Sequence, residues 1–399
     1  MSDSGPPWPR YRPGDHAGLR EEVRRAAQER GWAKLVREWD RHPAFPWEEY
    51  RYLGSRGWLG PRQPKEEGGG GWTLEDEAVL VEELAYSGGS ALAKMALQPD
   101  FCSALAHAAP EIRERWFRPL FRGEVLVGNQ VTEPEAGSDA GAISMKAVPE
   151  ERQGREGFVL TGVKSQAAFA ADARAALVYA RTGEGAKGQG VSAFLVPQDL
   201  PGVRAEVLAD LGERWMRRGS VRYEGVWVPV EQRVGGAGEG FRLLQDELVH
   251  ERVLLARVYL GLARASLDEV AAEVMARRAF GRPLGSFEAV SFPLVEDLAR
   301  WEAASLFVSE SVRRLEARAP DAAARSALAK WLANSTALEV LEHAVHLTGG
   351  TGYSEARLHE LRFRDALSGR VAHGSDEILK IVAARTYLGR ASLPYGSPR

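Results

Sequence analysis

Apolar residues recur at three- and four-residue spacing from Leu19 to about Val125, in LREEVRRAAQERGWAKLVREW, LEDEAVLVEELAYSG and SALAKMALQPDFCSALAHA, and this spacing predicts helices. Between Gly128 and about Gly236 the pattern changes to short β-rich runs broken by Gly and Pro. FVLTGV, AALVYART, VSAFLVP, VRAEVL and SVRYEGVWVPV predict strands. From Gly240 a helical pattern returns in FRLLQDELVHERVLLARVYLGLARASLDEVAAEVMARRAF, followed by two more from Phe287 to Ala319 and Asp321 to Leu347. The order is helical, β, helical, with the last unit expected as a bundle of antiparallel neighbours. GGGG at 68–71 reads as a linker and GEGAKGQG at 183–190 as a hairpin loop or flexible turn.

With 44% hydrophobic residues in 399, the chain can bury large cores, and its length favours two or three packed units. A net charge of -3 carries no basic excess, which argues against nucleic acid or an anionic membrane as main partner and for small-molecule chemistry. The single cysteine, Cys102, cannot form an internal disulfide, so it reads as a small core residue in a reducing cytoplasm. The first residues, MSDSGPPWPRYRPGD, lack the apolar core of a signal peptide, and no apolar run approaches a membrane span. A soluble, cytoplasmic protein is expected, and no metal-ligand set is assigned.

Near the end stands VAHGSDEIL, Val371 to Leu379. Ser375 is a good N-cap, Asp376 and Glu377 suit a positive first turn, and Ile378, Ile381 and Val382 recur at helical spacing before Gly389. His373 therefore sits at a loop-to-helix junction, where backbone N–H groups can meet an anionic ligand.

VTEPEAGSD from Val131 to Asp139, ERVLLARVYLGLA from Glu251, RRAFGRPLGSFEAV from Arg277, HLTGGTGY from His346 and RDALSGRVAHGSDEI from Arg364 appear in this order. With these five strings the chain resembles the acyl-CoA dehydrogenases from about residue 20 onward. The resemblance implies an α+β fold: a flexible tail over 1–18, an N-terminal helical domain over 19–127, a central β-barrel-like domain over 128–236 and a C-terminal four-helix bundle over 237–399. It implies FAD as cofactor and a homotetramer or dimer. Val131, Thr132, Gly137 and Ser138 would meet the flavin, where a Thr hydroxyl and free N–H groups suit its carbonyl edge and phosphates. Ser138 would also touch the substrate. Arg277, whose guanidinium fork matches pyrophosphate, would reach the FAD of a neighbouring subunit beside Phe280. Gly349, Gly350 and Gly352 would let backbone approach its adenosine half. Ser375 and Glu377, at the last helix start, are further cofactor contacts by the same resemblance.

The departures carry as much. Where many relatives have a Trp-Ile-Thr-Asn run against the flavin, this chain has Gln166, Ala167 and Ala168 within GVKSQAAFA, and Glu288 and His346 stand where glutamines usually bind the cofactor. His373 replaces the glutamate that serves relatives as base. Dehydrogenation between Cα and Cβ of an acyl thioester needs a base at the α-carbon, donors on the carbonyl oxygen and a flavin to accept the β-hydride. Neutral imidazole is competent as base. Glu251 is the other candidate, because a minority of relatives carry their base at this helical position. A buried carboxylate gains basicity while a buried histidine loses it, so the expectation settles on Glu251, with His373 supplying its backbone N–H. Gly374 would line the substrate, and Arg252 would assist the pantetheine or phosphate end. The implied reaction is α,β-dehydrogenation of an acyl-CoA or an acyl-carrier-protein thioester, with an acceptor such as an electron-transfer flavoprotein. A flavin monooxygenase of the same fold and a non-catalytic subunit are the alternatives.

Overall fold

The computed structural model describes residues 16–184 and 188–389. Residues 1–15 of the expected tail and 185–187 of the expected hairpin loop lie outside them. The N-terminal unit begins earlier than the pattern suggests, with helices over Ala17–Arg30, Trp32–Arg41, Trp47–Ser55 and Leu74–Ala96. Gly31, at φ 67°, separates the first two by adopting the left-handed conformation that closes a helix. Thr73 and Asp76 form a reciprocal capping box that starts the fourth, and that helix kinks at Gly88–Gly89. The glycine run is no linker. Gly69, Gly70 and Gly71 donate N–H groups to the carbonyls of Pro64, Pro61 and Gln63, folding it back within the same helical unit. Cys102 is fully buried in the short 3-10 segment Asp100–His107, where burial pushes its thiol well up.

The middle unit is a mixed sheet of eight strands: β1 Val127–Gln130, β2 Lys146–Pro149, β3 Gly157–Ala167, β4 Ala175–Arg181, β5 Val191–Pro197, β6 Val203–Val207, β7 Gly219–Pro229 and β8 Arg233–Val234. Their order is β6-β7-β3-β2-β4-β5-β8, with β1 added parallel to β4. The expected barrel does not close. Among the described residues β6, mostly exposed with Arg204 and Glu206, pairs only with β7, and the two-residue β8 only with β5, so both ends remain edges. The small and apolar residues of β4 and β5 are buried on both faces, as central strands require. Between β4 and β5, Thr182 N–H donates to Gly190 O at 2.8 Å.

The C-terminal unit has three long helices, Gly240–Ala276, Glu288–Glu316 and Ala322–Thr348, then the short His359–Ala366 and Asp376–Tyr387, both against the third. The first runs 37 residues and is buried without interruption from Glu251 to Leu267, since helices close in on every side. One of them is Leu74–Ala96 of the N-terminal unit. Trp32, Leu80, Leu84, Val253, Tyr259 and Leu338 lie in a single core, so the two helical units, separate in the pattern, share an interior. Within it Arg257 donates to Glu82 at 2.7 Å and to Ser305 and Ser309 at 3.2 and 2.6 Å, which pairs a charge buried between units. No helix among the described residues is long and apolar enough to cross a membrane.

Candidate active site

Continuous packing around the long helix leaves Glu251 with 2% exposure, and the turn before the last helix brings His373 onto it. His373 Nδ1 lies 2.7 Å from Glu251 Oε2. Burial, with Asp100 adding and Arg252 opposing, raises the Glu251 carboxyl to about 8. Burial and the cations Lys330, Lys94 and Arg252 lower the imidazole to about 3, so it stays neutral. A neutral imidazole can accept from a protonated Glu251 or donate Nδ1–H to its carboxylate, and the contact survives either state. The Phe101 ring covers the imidazole at 5.1 Å between centroids.

One turn earlier on the same helix, Glu247 is equally buried. It accepts from Ala104 N–H at 2.7 Å, Tyr179 O–H at 2.9 Å and Asn129 Nδ2 at 3.4 Å, while burial and the nearby Glu251 hold its carboxyl well above the usual range. Arg252 is also buried, and its Nε donates to His373 O at 3.0 Å. Behind the turn Lys330 Nζ donates to the carbonyls of Gly369, Ala372 and Gly374. The structure thus brings Glu251, Arg252, His373 and Gly374 together, with Arg252, expected at the pantetheine or phosphate end, held instead on the His373 carbonyl. Ser375 caps the last helix by accepting from Ile378 N–H at 3.4 Å, and Glu377 is exposed on its first turn.

In the loop after β1, Val131 O accepts from Lys164 Nζ at 2.9 Å and Thr132 O from Ser165 N–H at 2.8 Å. Glu133 anchors this loop: buried, it meets Lys164 Nζ at 2.9 Å and accepts from the Ser144 amide and hydroxyl, both at 2.8 Å. Gly137 and Ser138 are exposed at its tip, and the Thr132 hydroxyl has no partner among the described residues. Gln166 is exposed at a left-handed φ of 56°, at an irregularity in β3.

The remaining expected cofactor residues do not join this cluster. Arg277 follows Glu251 by 26 residues, about 39 Å along the helix at 1.5 Å per residue. There Phe280, 95% exposed, tips a two-residue hairpin turn with Gly281, and Glu288 and His346 are exposed. Thr351 Oγ1 reaches Glu273 at 3.4 Å, which sets the Gly349–Thr351 turn at this same end. A Cβ at Gly349 or Gly350 would meet nothing within 4 Å, whereas Gly352 packs on Thr348 and Val345.

Sequence reasoning missed Glu247, Phe101, Lys330 and the Glu133–Lys164 pair. Only Glu247 left a signal, its four-residue spacing from Glu251. Among the described residues no cluster of three His, Cys, Asp or Glu side chains could hold a metal.

The chain matches the acyl-CoA dehydrogenase N-terminal domain over residues 13–124, the middle domain over 128–226 and the C-terminal domain over 238–388. A glutaryl-CoA dehydrogenase of Desulfococcus multivorans is 30% identical over 358 residues, 88% of this chain and 91% of that protein. The crystal structure of an acyl-CoA dehydrogenase from Geobacillus kaustophilus, 26% identical, superposes with a TM-score of 0.86 over 94% of this chain and 98% of its own. An FAD complex of PigA, 21% identical, shares the fold with a TM-score of 0.87 over 96% and 100% of the two chains.

Proposed function

Because this chain belongs to the acyl-CoA dehydrogenase family, we propose that it desaturates an acyl thioester between Cα and Cβ with Glu251 as the base. It is an FAD-dependent flavoprotein oxidoreductase, as the family is. Its own residues suit that cofactor. The Thr132 hydroxyl is unengaged, the backbone at Gly349 and Gly350 is open, and the exposed Arg277 guanidinium has no carboxylate partner among the described residues. Bound FAD supplies the acceptor for the hydride that leaves the β-carbon.

The 2.7 Å contact between Glu251 and His373 carries the reading. Ionised Glu251 takes the pro-enolate proton from the α-carbon, and its raised basicity suits that step. His373 donates Nδ1–H to one carboxylate oxygen before the transfer and keeps that bond while the other oxygen carries the α-proton, which steadies Glu251 throughout. The backbone N–H of His373 has no acceptor in the protein among the described residues and is the donor to the thioester oxygen, where negative charge grows.

Thr132 and Ser138 belong to the flavin-ring end, and Arg277, Phe280, Glu288, His346 and the Gly349–Gly352 turn to the dinucleotide end. A helix length of about 39 Å between Glu251 and Arg277 exceeds an extended dinucleotide. The dinucleotide end therefore serves the FAD of a neighbouring copy in a homodimer or tetramer. The acyl group rides on CoA or on a carrier protein, and an electron-transfer flavoprotein takes the electrons.

Anaerobic mixing of the FAD-loaded protein with acyl-CoAs of several chain lengths tests the reading: flavin bleaching supports it, and no bleaching with any acyl-CoA or acyl-carrier-protein thioester overturns it. Gln166, exposed where relatives place an aromatic wall, favours a second reading as a monooxygenase. Oxygen uptake with externally reduced flavin, without anaerobic bleaching, would establish that one.

A further inference from the structure

The helix Ala322–Thr348 carries Ser326, Lys330 and Asn334 at four-residue spacing, each 0% exposed among buried alanines. All three donate to backbone carbonyls of other segments: Ser326 to Val249, Asn334 to Ala366 at 2.8 Å, and Lys330 to Gly369, Ala372 and Gly374 at 2.8, 2.6 and 2.9 Å. Three acceptors saturate the three N–H donors of an ammonium. Arg252 Nε takes the remaining carbonyl, His373 O, at 3.0 Å. Two buried basic side chains thus hold the carbonyls on both sides of His373 as well as its own.

A trans peptide is planar, with the C=O of one residue opposed to the N–H of the next. The Ala372 carbonyl on Lys330 turns the His373 N–H away from that side chain, and the His373 carbonyl on Arg252 turns the Gly374 N–H away likewise. Neither N–H has a protein acceptor among the described residues. The φ angles, 52° at His373 and 95° at Gly374, are both positive. A histidine keeps such a φ only where its surroundings enforce it.

We propose that Lys330 is a positioning residue for the dehydrogenation, which with Arg252 clamps the 369–374 turn by its carbonyls and so aims the His373 and Gly374 N–H groups at the thioester oxygen. The assignment of that oxygen rests on the functional reading above; the clamp itself does not. Lys330 touches no reacting atom.

The test is Lys330→Met, with Ser326→Ala as a control that removes a carbonyl bond of the same helix outside the clamp. In anaerobic stopped flow with saturating acyl-CoA, Lys330→Met should lower the limiting rate of flavin reduction by about 100-fold, as loss of an oxyanion donor does. Acyl-CoA affinity and flavin content should stay within about twofold of wild type. The carbonyl stretch of bound acyl-CoA should move toward its value in water-free solvent, while Ser326→Ala leaves rate and stretch unchanged. An unchanged rate, an unchanged stretch, or equal losses in both variants would overturn the proposal. If Lys330→Met does not accumulate, Lys330→Gln, which keeps two donors, is read in the same way. A crystal structure of either variant decides the clamp without any substrate: His373 should leave its left-handed φ, and a retained φ near 52° sinks the idea. Absence of flavin reduction in the wild type would refute the functional reading and leave this structural result standing.

Discussion

Although 122 residues apart in sequence, Glu251 and His373 share a hydrogen bond of 2.7 Å, so two residues that compete as bases in the sequence form one unit. Glu251→Gln should lower the limiting rate of anaerobic flavin reduction by ~10²–10⁴-fold, the usual cost of losing a general base. His373→Ala keeps the backbone donor and should cost less than about tenfold. The reverse pattern would assign the base to His373, and normal rates in both variants would remove the pair from the chemistry.

The pH dependence has a definite sign. Burial raises Glu251 to about 8, and the base acts ionised, so kcat/KM should climb about tenfold per pH unit well below 8 and level off above it. His373, lowered to about 3, adds no limb between pH 5 and 9. For stability, the folded protein holds the Glu251 proton more tightly than the unfolded chain between 4.5 and about 8. The contribution of this group is therefore complete below 4.5 and lost as pH rises to about 8. Glu251→Gln should flatten both profiles; a kcat/KM that does not vary with pH in the wild type would contradict the assignment.

Arg277→Ala tests the far end of the helix. Loss of a charged donor to pyrophosphate should weaken FAD binding by about tenfold to a hundredfold while the oligomer persists. Flavin release after dilution measures it, with light scattering to confirm assembly. Full occupancy in an intact oligomer would show that Arg277 does not hold the cofactor.

Lys164 is fully buried against Glu133, whose second oxygen accepts from Ser144. Lys164→Met strands that carboxylate and should destabilise the protein by about 3 kcal/mol, the cost of leaving one partner of a buried pair alone. A fall in the urea midpoint without a change in slope would report it; an unchanged midpoint would mean that the amide donors of Ser144 and Met145 suffice.

The long helices were legible because apolar spacing repeats over many turns, and β3, β4, β5, β6 and β7 because their runs are β-branched and bounded by Gly or Pro. β1, β2 and β8 were not, since two to four residues show no period and are strands only by virtue of their partners. Strand runs carry no sign of whether the last edge meets the first, so the open sheet could not be told from a barrel. At the site, Glu251, Arg252, His373 and Gly374 were marked by strings whose order is distinctive. Lys330 was hidden, because a lysine in SALAKWLAN reads as a solvated face and its partners are carbonyls of a turn about forty residues later. Backbone acceptors leave no trace in a sequence.

If Arg277 serves the FAD of a neighbouring copy, as proposed, Glu251 near the start of the 37-residue helix and Arg277 just past its end make each chain a contributor to two different catalytic units. In genetic language, lesions at the two ends are complementing alleles. A mixed oligomer of Glu251→Gln and Arg277→Ala subunits concentrates both defects in one unit and leaves its counterpart with an intact base and an intact dinucleotide end. At an FAD concentration too low to load Arg277→Ala subunits, two preparations that turn over poorly alone would then recover turnover when dissociated, mixed and reassembled, and a heterozygote carrying both lesions would retain function that neither homozygote has.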